Sequence, residues 1–172
     1  ERPDFREPFV GFLREDKVIS LPFHCSETEL SEALADQNVA GVLVEPVQGR
    51  TGCRPAGDEW LKMLRRQCDN SGTLLIYDEV FTGLGRTGQL TFAERIPCDL
   101  LCLGKAFGGG FPISACVGSN EAMGAWPINR GEAIHTGTFF GHPLSCDIAL
   151  ATLREIRSTD LVARSGRLGH YL

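Results

Sequence analysis

The sequence predicts an α/β fold, a mostly parallel central sheet with helices on both faces. Three observations predict it. Short apolar runs at 39–44, 74–77 and 100–103 are bounded by turn residues and lack polar alternation, as strands buried on both faces do. Between the first two lies a segment with helical periodicity, the connection that parallel neighbours require. The second and third runs end in residues able to do chemistry, Asp78 and Lys105. In parallel sheets, ligands gather outside the carboxyl ends of the strands, so the two residues are expected to face one crevice.

In chain order, residues 1–25 form loop and short extended pieces, with a weak strand at Val18–Leu21. Ser26 and Glu29 have the spacing of a capping box, and a helix follows to about Gln37, with Leu30, Ala33 and Leu34 on one face. Val39–Val44 is a strand stopped by Glu45-Pro46 and Gly49. Asp58 and Glu59 suit the first turn of a helix, where negative charge meets the macrodipole. Trp60, Leu61, Leu64 and Cys68 recur at helical spacing and Ser71-Gly72 closes the segment; Trp60 is expected in the core. Thr91–Glu94 is a short helical piece broken by Pro97, and Ile113–Val117 is a further strand. A short helix is expected at Glu121–Gly124. Pro143 fits the first turn of a last helix whose buried stripe is Cys146, Ala149, Leu150, Leu153 and Ile156.

Composition narrows the function classes. The chain of 172 residues can bury a real core, and 42% hydrophobic residues is ordinary for a globular protein. A net charge of −5 without a basic cluster argues against a nucleic-acid surface. The apolar runs are far too short to cross a bilayer, and no charged-then-apolar leader is visible. The seven cysteines are scattered without a CxxC pair, which is expected of reduced core thiols in a cytoplasmic protein. His135 and His142 lack a third ligand at metal spacing, so no metal site is expected.

Lys105 is the chemically interesting amine of only three lysines, since Lys17 and Lys62 fall in charged or amphipathic surroundings. Burial in an apolar, glycine-lined site disfavours the charged form, and a neutral amine can form a Schiff base with an aldehyde. A carboxylate such as Asp78 beside a pyridine nitrogen would keep that nitrogen protonated and make the ring an electron sink. Taken alone, Asp78 fits a structural, a magnesium or a cofactor role; no Walker A loop accompanies it. Glu45 at a strand end could bind an amine or an arginine, or simply turn the chain. The Thr-Gly-Leu-Gly-Arg-Thr-Gly loop at 82–88 suits a cofactor or subunit contact, with Arg86 and Glu79 paired within it. Thr136 and Thr138 lie in a small-residue loop that would suit a phosphate or a plain turn.

The runs Asp78-Glu79-Val80-Phe81-Thr82-Gly83-Leu84-Gly85-Arg86-Thr87-Gly88 and Leu103-Gly104-Lys105-Ala106-Phe107-Gly108-Gly109-Gly110-Phe111-Pro112 resemble the class III (omega) aminotransferases. Glu45-Pro46-Val47-Gln48-Gly49 upstream and the segment from His135 to Leu144 downstream match in the same order. The resemblance implies the large domain of a fold-type I, aspartate aminotransferase-like pyridoxal 5'-phosphate enzyme. It implies a Schiff base on Lys105, Asp78 at the ring nitrogen and Val80 against one face of the ring. It places Glu45 on the substrate side and Thr138 at the cofactor phosphate of a neighbouring subunit, in a homodimer with a shared site. Position 81, often glutamine in this family and bonded to the ring hydroxyl, is Phe81 here, which cannot make that bond.

The expected activity is transfer of an amino group from an amine or omega-amino acid to an oxo acid. Racemases, aminomutases, decarboxylases and phospho-lyases on the same scaffold, or an inactive fragment, are the alternatives. Family members are longer, so residues 1–172 are expected to be part of the large domain, without the preceding segment and the C-terminal small domain, and weakly active alone.

Overall fold

A computed structural model describes residues 17–36, 38–125, 131 and 136–172. In chain order it contains α1 (Glu27–Leu34), β1 (Gly41–Val44), β2 (Val47–Gln48), β3 (Arg54–Pro55), α2 (Asp58–Ser71) and β4 (Leu74–Asp78). Then follow a 3₁₀ turn at Phe92–Glu94, β5 (Leu100–Leu103), a 3₁₀ turn at Lys105–Gly108, β6 (Ala115–Gly118), α3 (Asn120–Gly124), α4 (Pro143–Ser158) and α5 (Leu161–Tyr171).

Four strands make the central sheet in the order β1-β4-β5-β6. The first three are parallel, with Val44 opposite Tyr77 and Asp78 opposite Cys102. β6 runs antiparallel to β5. It begins two residues later than the apolar run suggests, because Ala115, not Ile113, is the partner of Leu103. Val47–Gln48 and Arg54–Pro55 form a separate two-stranded ladder.

The core lies between the sheet and the first two helices. Leu75 and Tyr77 alternate on one face of β4 and are fully buried against Leu61, Leu64 and Cys68 of α2, with Leu30 and Leu34 of α1 behind. Val42, Val44 and Leu101 share that face through the register of the strands. Trp60 joins the rim of this core and donates its indole N–H to the Cys25 carbonyl at 2.9 Å.

Local signals set the helix ends. The Ser26 hydroxyl accepts from the Glu29 amide while the Glu29 carboxylate accepts from the Ser26 amide, a complete capping box. Helix α2 ends at Gly72, whose φ of 69° is the left-handed conformation that costs glycine least. An acid then ties α2 to the sheet. Asp99 Oδ2 accepts from the Arg65 guanidinium and from the Leu75 amide, each at 2.7 Å.

Several expectations are corrected. Val18–Leu21 is not a strand: Val18 and Ile19 are exposed, and no ladder pairs them. Helix α1 stops at Leu34, where the Ala35 amide turns back to Glu32 and the Asp36 carboxylate accepts from the Asn38 amide. Gln37 lies outside the described residues. The inward stripe of α4 is Ser145, Ala149, Thr152 and Ile156, while Cys146 and Leu150 are exposed. That stripe packs on the segment after β5, where a Cβ on Gly109 would lie 2.6 Å from the Thr152 hydroxyl. Nor are all the thiols in the core. Cys25 and Cys68 are buried, but Cys53, Cys116 and Cys146 are exposed. Among the described residues no helix is long and apolar enough to cross a membrane.

Candidate active site

Because β1, β4 and β5 are parallel neighbours, their carboxyl ends lie at one edge of the sheet. Glu45 directly follows β1, Asp78 closes β4, and Lys105 stands two residues past Leu103, the last residue of β5. Neighbouring strands are about 4.8 Å apart, so these three side chains emerge from adjacent tips. The sequence expectation that Asp78 and Lys105 share one end of the sheet agrees with the strand order.

Each group is set by local bonding. Asp78 is half-buried, and its Oδ1 accepts from the Val80 amide at 3.0 Å, which turns the chain sharply after the strand. Val80 packs against Gly104 at the tip of β5. A Cβ on Gly104 would lie 3.2 Å from Val80 Cγ1, so glycine keeps the two strand tips close. Glu45 is half-buried, and its Oε2 accepts from the Gly49 amide at 3.2 Å. The Phe81 ring lies against Gly49, where an added Cβ would be 3.1 Å from Cδ1.

Lys105 has a φ of 44°, an uncommon and strained conformation for a residue with a Cβ, and it opens a 3₁₀ turn. Its Nζ lies 5.1 Å from the centre of the Phe81 ring, within the range of a cation–π contact. The lysine is therefore exposed on one side and floored by an aromatic ring on the other, not enclosed as the sequence suggests. Contacts thus run from Glu45 through Gly49 and Phe81 to Lys105.

Thr138 is not part of that chain of contacts. It is exposed in a turn in which the Phe140 amide donates to the Gly137 carbonyl, just before α4. His142 caps α4, its Nδ1 accepting from the Ser145 amide at 3.3 Å. His135 lies outside the described residues. Among the described residues no three His, Cys, Asp or Glu side chains are grouped to hold a metal.

The loop after Asp78 is anchored differently from the expected Glu79–Arg86 pair. Glu79 is 1% exposed and accepts from the Phe92 amide at 2.7 Å and from the Thr82 hydroxyl at 3.2 Å. Arg86 is exposed, and its carbonyl accepts from the Ser165 hydroxyl. The glycines of the loop admit α5: a Cβ on Gly88 would lie 2.8 Å from the Gly166 Cα, and one on Gly85 3.1 Å from a Val162 methyl.

Burial pushes the Glu79 carboxyl up, against the hydrogen bonds from Phe92 and Thr82, which lower it. With its folded pKa above its unfolded one, the native state holds more protons between the two values. This contribution to stability is complete below the ordinary glutamate range and is lost as pH rises through the folded value. Glu79→Gln is expected to show a shallower fall of unfolding free energy over that interval, measured by urea denaturation at successive pH values. Equal slopes would remove Glu79 from the account.

Residues 15–172 match the family described as Aminotransferase class-III. The chain belongs to that family. It is 37% identical over 169 residues to the acetylornithine aminotransferase of Methanosarcina acetivorans, covering 97% of this chain and 40% of the relative. It is 38% identical over 173 residues to that of Methanopyrus kandleri, covering 97% and 42%. Among solved structures, the ornithine aminotransferase from Toxoplasma gondii ME49 superposes with a TM-score of 0.80 at 37% identity, over 88% of this chain and 36% of that one. The acetylornithine aminotransferase from Elizabethkingia anophelis gives 0.80 at 37% identity, over 89% and 38%. The chain thus spans about two fifths of the length of the curated relatives it matches.

Proposed function

We propose that this chain forms part of the cofactor-binding domain of a pyridoxal 5'-phosphate-dependent aminotransferase. The observation that carries the proposal is the placement of Asp78 and Lys105 at the carboxyl ends of adjacent parallel strands. An acid and a primary amine at one sheet edge, with Val80 between the strand tips, form a donor set that fits a pyridine aldehyde. When bound, pyridoxal phosphate supplies a reactive aldehyde and a ring that accepts electrons.

The residues divide the remaining work. Lys105 would hold the cofactor through its amine, and the same amine would serve as the acid–base group that moves the substrate's proton. Asp78, oriented by its bond from the Val80 amide, would hold a proton at the ring nitrogen. Val80 limits one face of the ring. Glu45 stands on the substrate side, where a carboxylate can meet an ammonium group or an arginine.

Thr138 binds the cofactor phosphate of a second copy, and the exposed Phe139, Phe140 and Leu144 around it suit burial between copies in a homodimer. The protein acts in the cytoplasm on small amines and oxo acids. The names of the relatives make ornithine and its N-acetyl derivative the amino donors to try first, with an oxo acid as acceptor.

Borohydride treatment of the pyridoxal-phosphate-loaded protein, followed by peptide mapping, is expected to place the cofactor on a peptide that runs uncleaved through Lys105. Label on Lys17 or Lys62 would refute the assignment.

A further inference from the structure

Two of the exposed or half-exposed cysteines are direct partners in the sheet. Cys102 of β5 lies opposite Cys116 of β6, and Asp78 of β4 lies opposite Cys102 on its other side. The three side chains therefore share one face of the sheet.

Hydrogen bonding fixes the kind of cross-strand pair. The Ser119 amide donates to the Asp99 carbonyl, one of the two bonds of a hydrogen-bonded pair, while the Asp99 amide turns away to the Leu75 carbonyl. Counting along the ladder, Leu100–Gly118 is non-bonded, Leu101–Val117 bonded and Cys102–Cys116 non-bonded. The Cys102 carbonyl agrees, since it accepts from the Glu79 amide on the β4 side at 3.0 Å. Non-bonded antiparallel pairs hold their Cα atoms about 4.5 Å apart with the side chains close. That spacing lies inside the disulfide range of roughly 4.4–6.8 Å.

We propose that Cys102 and Cys116 are a reversible thiol–disulfide pair, oxidised by a small-molecule disulfide such as that of glutathione. In the first step the exposed Cys116, as thiolate, attacks one sulfur of the oxidant. A mixed disulfide forms and one small thiolate leaves. In the second step Cys102 attacks the Cys116 sulfur, forming the protein disulfide and releasing the second small thiol. The two protein thiols give up two protons and two electrons, and the oxidant is reduced to two thiols. The order follows from access. Cys116 is exposed, whereas Cys102 is half-buried, and burial, with Cys116 and Asp78 beside it, pushes its thiol up.

None of the other five cysteines has a cysteine as its register partner in the ladders of the described residues. The disulfide would close a covalent ring that contains residues 103–115, Lys105 among them. The pairing rests on the strand register alone and holds whatever reaction the chain serves.

The test is incubation of the native protein with glutathione disulfide, followed by intact mass, thiol titration after denaturation and peptide mapping without reductant. The expected product has lost two hydrogen atoms and two of its seven titratable thiols, and dithiothreitol restores both. Tryptic cleavage after Lys105 separates Cys116 from the peptide that holds Cys98 and Cys102, so the link appears as a joined pair and fragmentation assigns it to Cys102. Cys102→Ser is expected to stop at a glutathione adduct on Cys116. The proposal is overturned if the wild-type protein accumulates that adduct with Cys102 free, if Cys102 or Cys116 pairs with another cysteine, or if both stay reduced while Cys53 and Cys146 react.

Discussion

Lys105→Ala is expected to lower the rate of amino-group transfer by about two to four orders of magnitude, the usual scale for removing a positioned acid–base group. The variant should also lose the covalent attachment of the cofactor, because no other described amine stands at that sheet edge: Lys62 is paired with Glu59 on the outer face of α2. The readouts are single-turnover conversion of a bound donor and the absorbance of the attached cofactor. Added methylamine or ethylamine separates two outcomes. If Lys105 moves the proton, a small external amine should restore part of the rate without restoring attachment to the chain. If the lysine only anchors, Lys105→Ala should turn over near the normal rate once cofactor is in excess, and the proton-transfer role is withdrawn. Folding is not expected to confound the result. Lys105 is exposed, and its φ of 44° is a strain that alanine neither adds to nor relieves.

The sheet edge was legible in the sequence because two different signals coincide there. Apolar runs at 74–77 and 100–103 mark strands, and the residues that end them, or follow two places later, are the ones with chemistry. Strand direction was not legible in the same way. Ile113–Val117 was recognisable as a strand, but an apolar run carries no sign of which way it points, and the antiparallel pairing of β6 comes from tertiary structure. The helix α4 shows the limit of periodicity. The most apolar stripe includes Cys146 and Leu150, whereas the helix buries Ser145 and turns Thr152 to the close-packed glycine segment after β5.

The burial of Glu79 has a signal in the sequence. Leu75 and Tyr77 alternate inward along β4, so a residue two places on falls on the same buried side, and a carboxylate there needs internal donors. The Phe92 amide and Thr82 hydroxyl that supply them lie in the loop itself. In the sequence Phe81 stands out only for the hydrogen bond it cannot make. Its contacts to Gly49 and Lys105 depend on loops that no local pattern places together.

Asp78→Ala is expected to cost about 10²- to 10³-fold in turnover, the range for deleting one preorganised electrostatic partner of a reacting group. The effect is electrostatic. The carboxylate is half-buried at the tip of β4, and its fixed bond to the Val80 amide spares reorganisation when charge develops nearby. Without it, a pyridine nitrogen at that place loses its proton more easily, and the ring accepts electrons less well. The pH profile distinguishes this from a structural effect. In Asp78→Ala the remaining activity should fall off at lower pH than in the wild type, because protonation of the nitrogen then depends on the solvent. Asp78→Glu, which keeps the charge on a longer arm, should recover a part of the rate. If Asp78→Ala lowers turnover with an unshifted profile, or Asp78→Glu is no better, the carboxylate serves only to turn the chain after β4. Lys105 would then be the sole reacting side chain at this edge of the sheet.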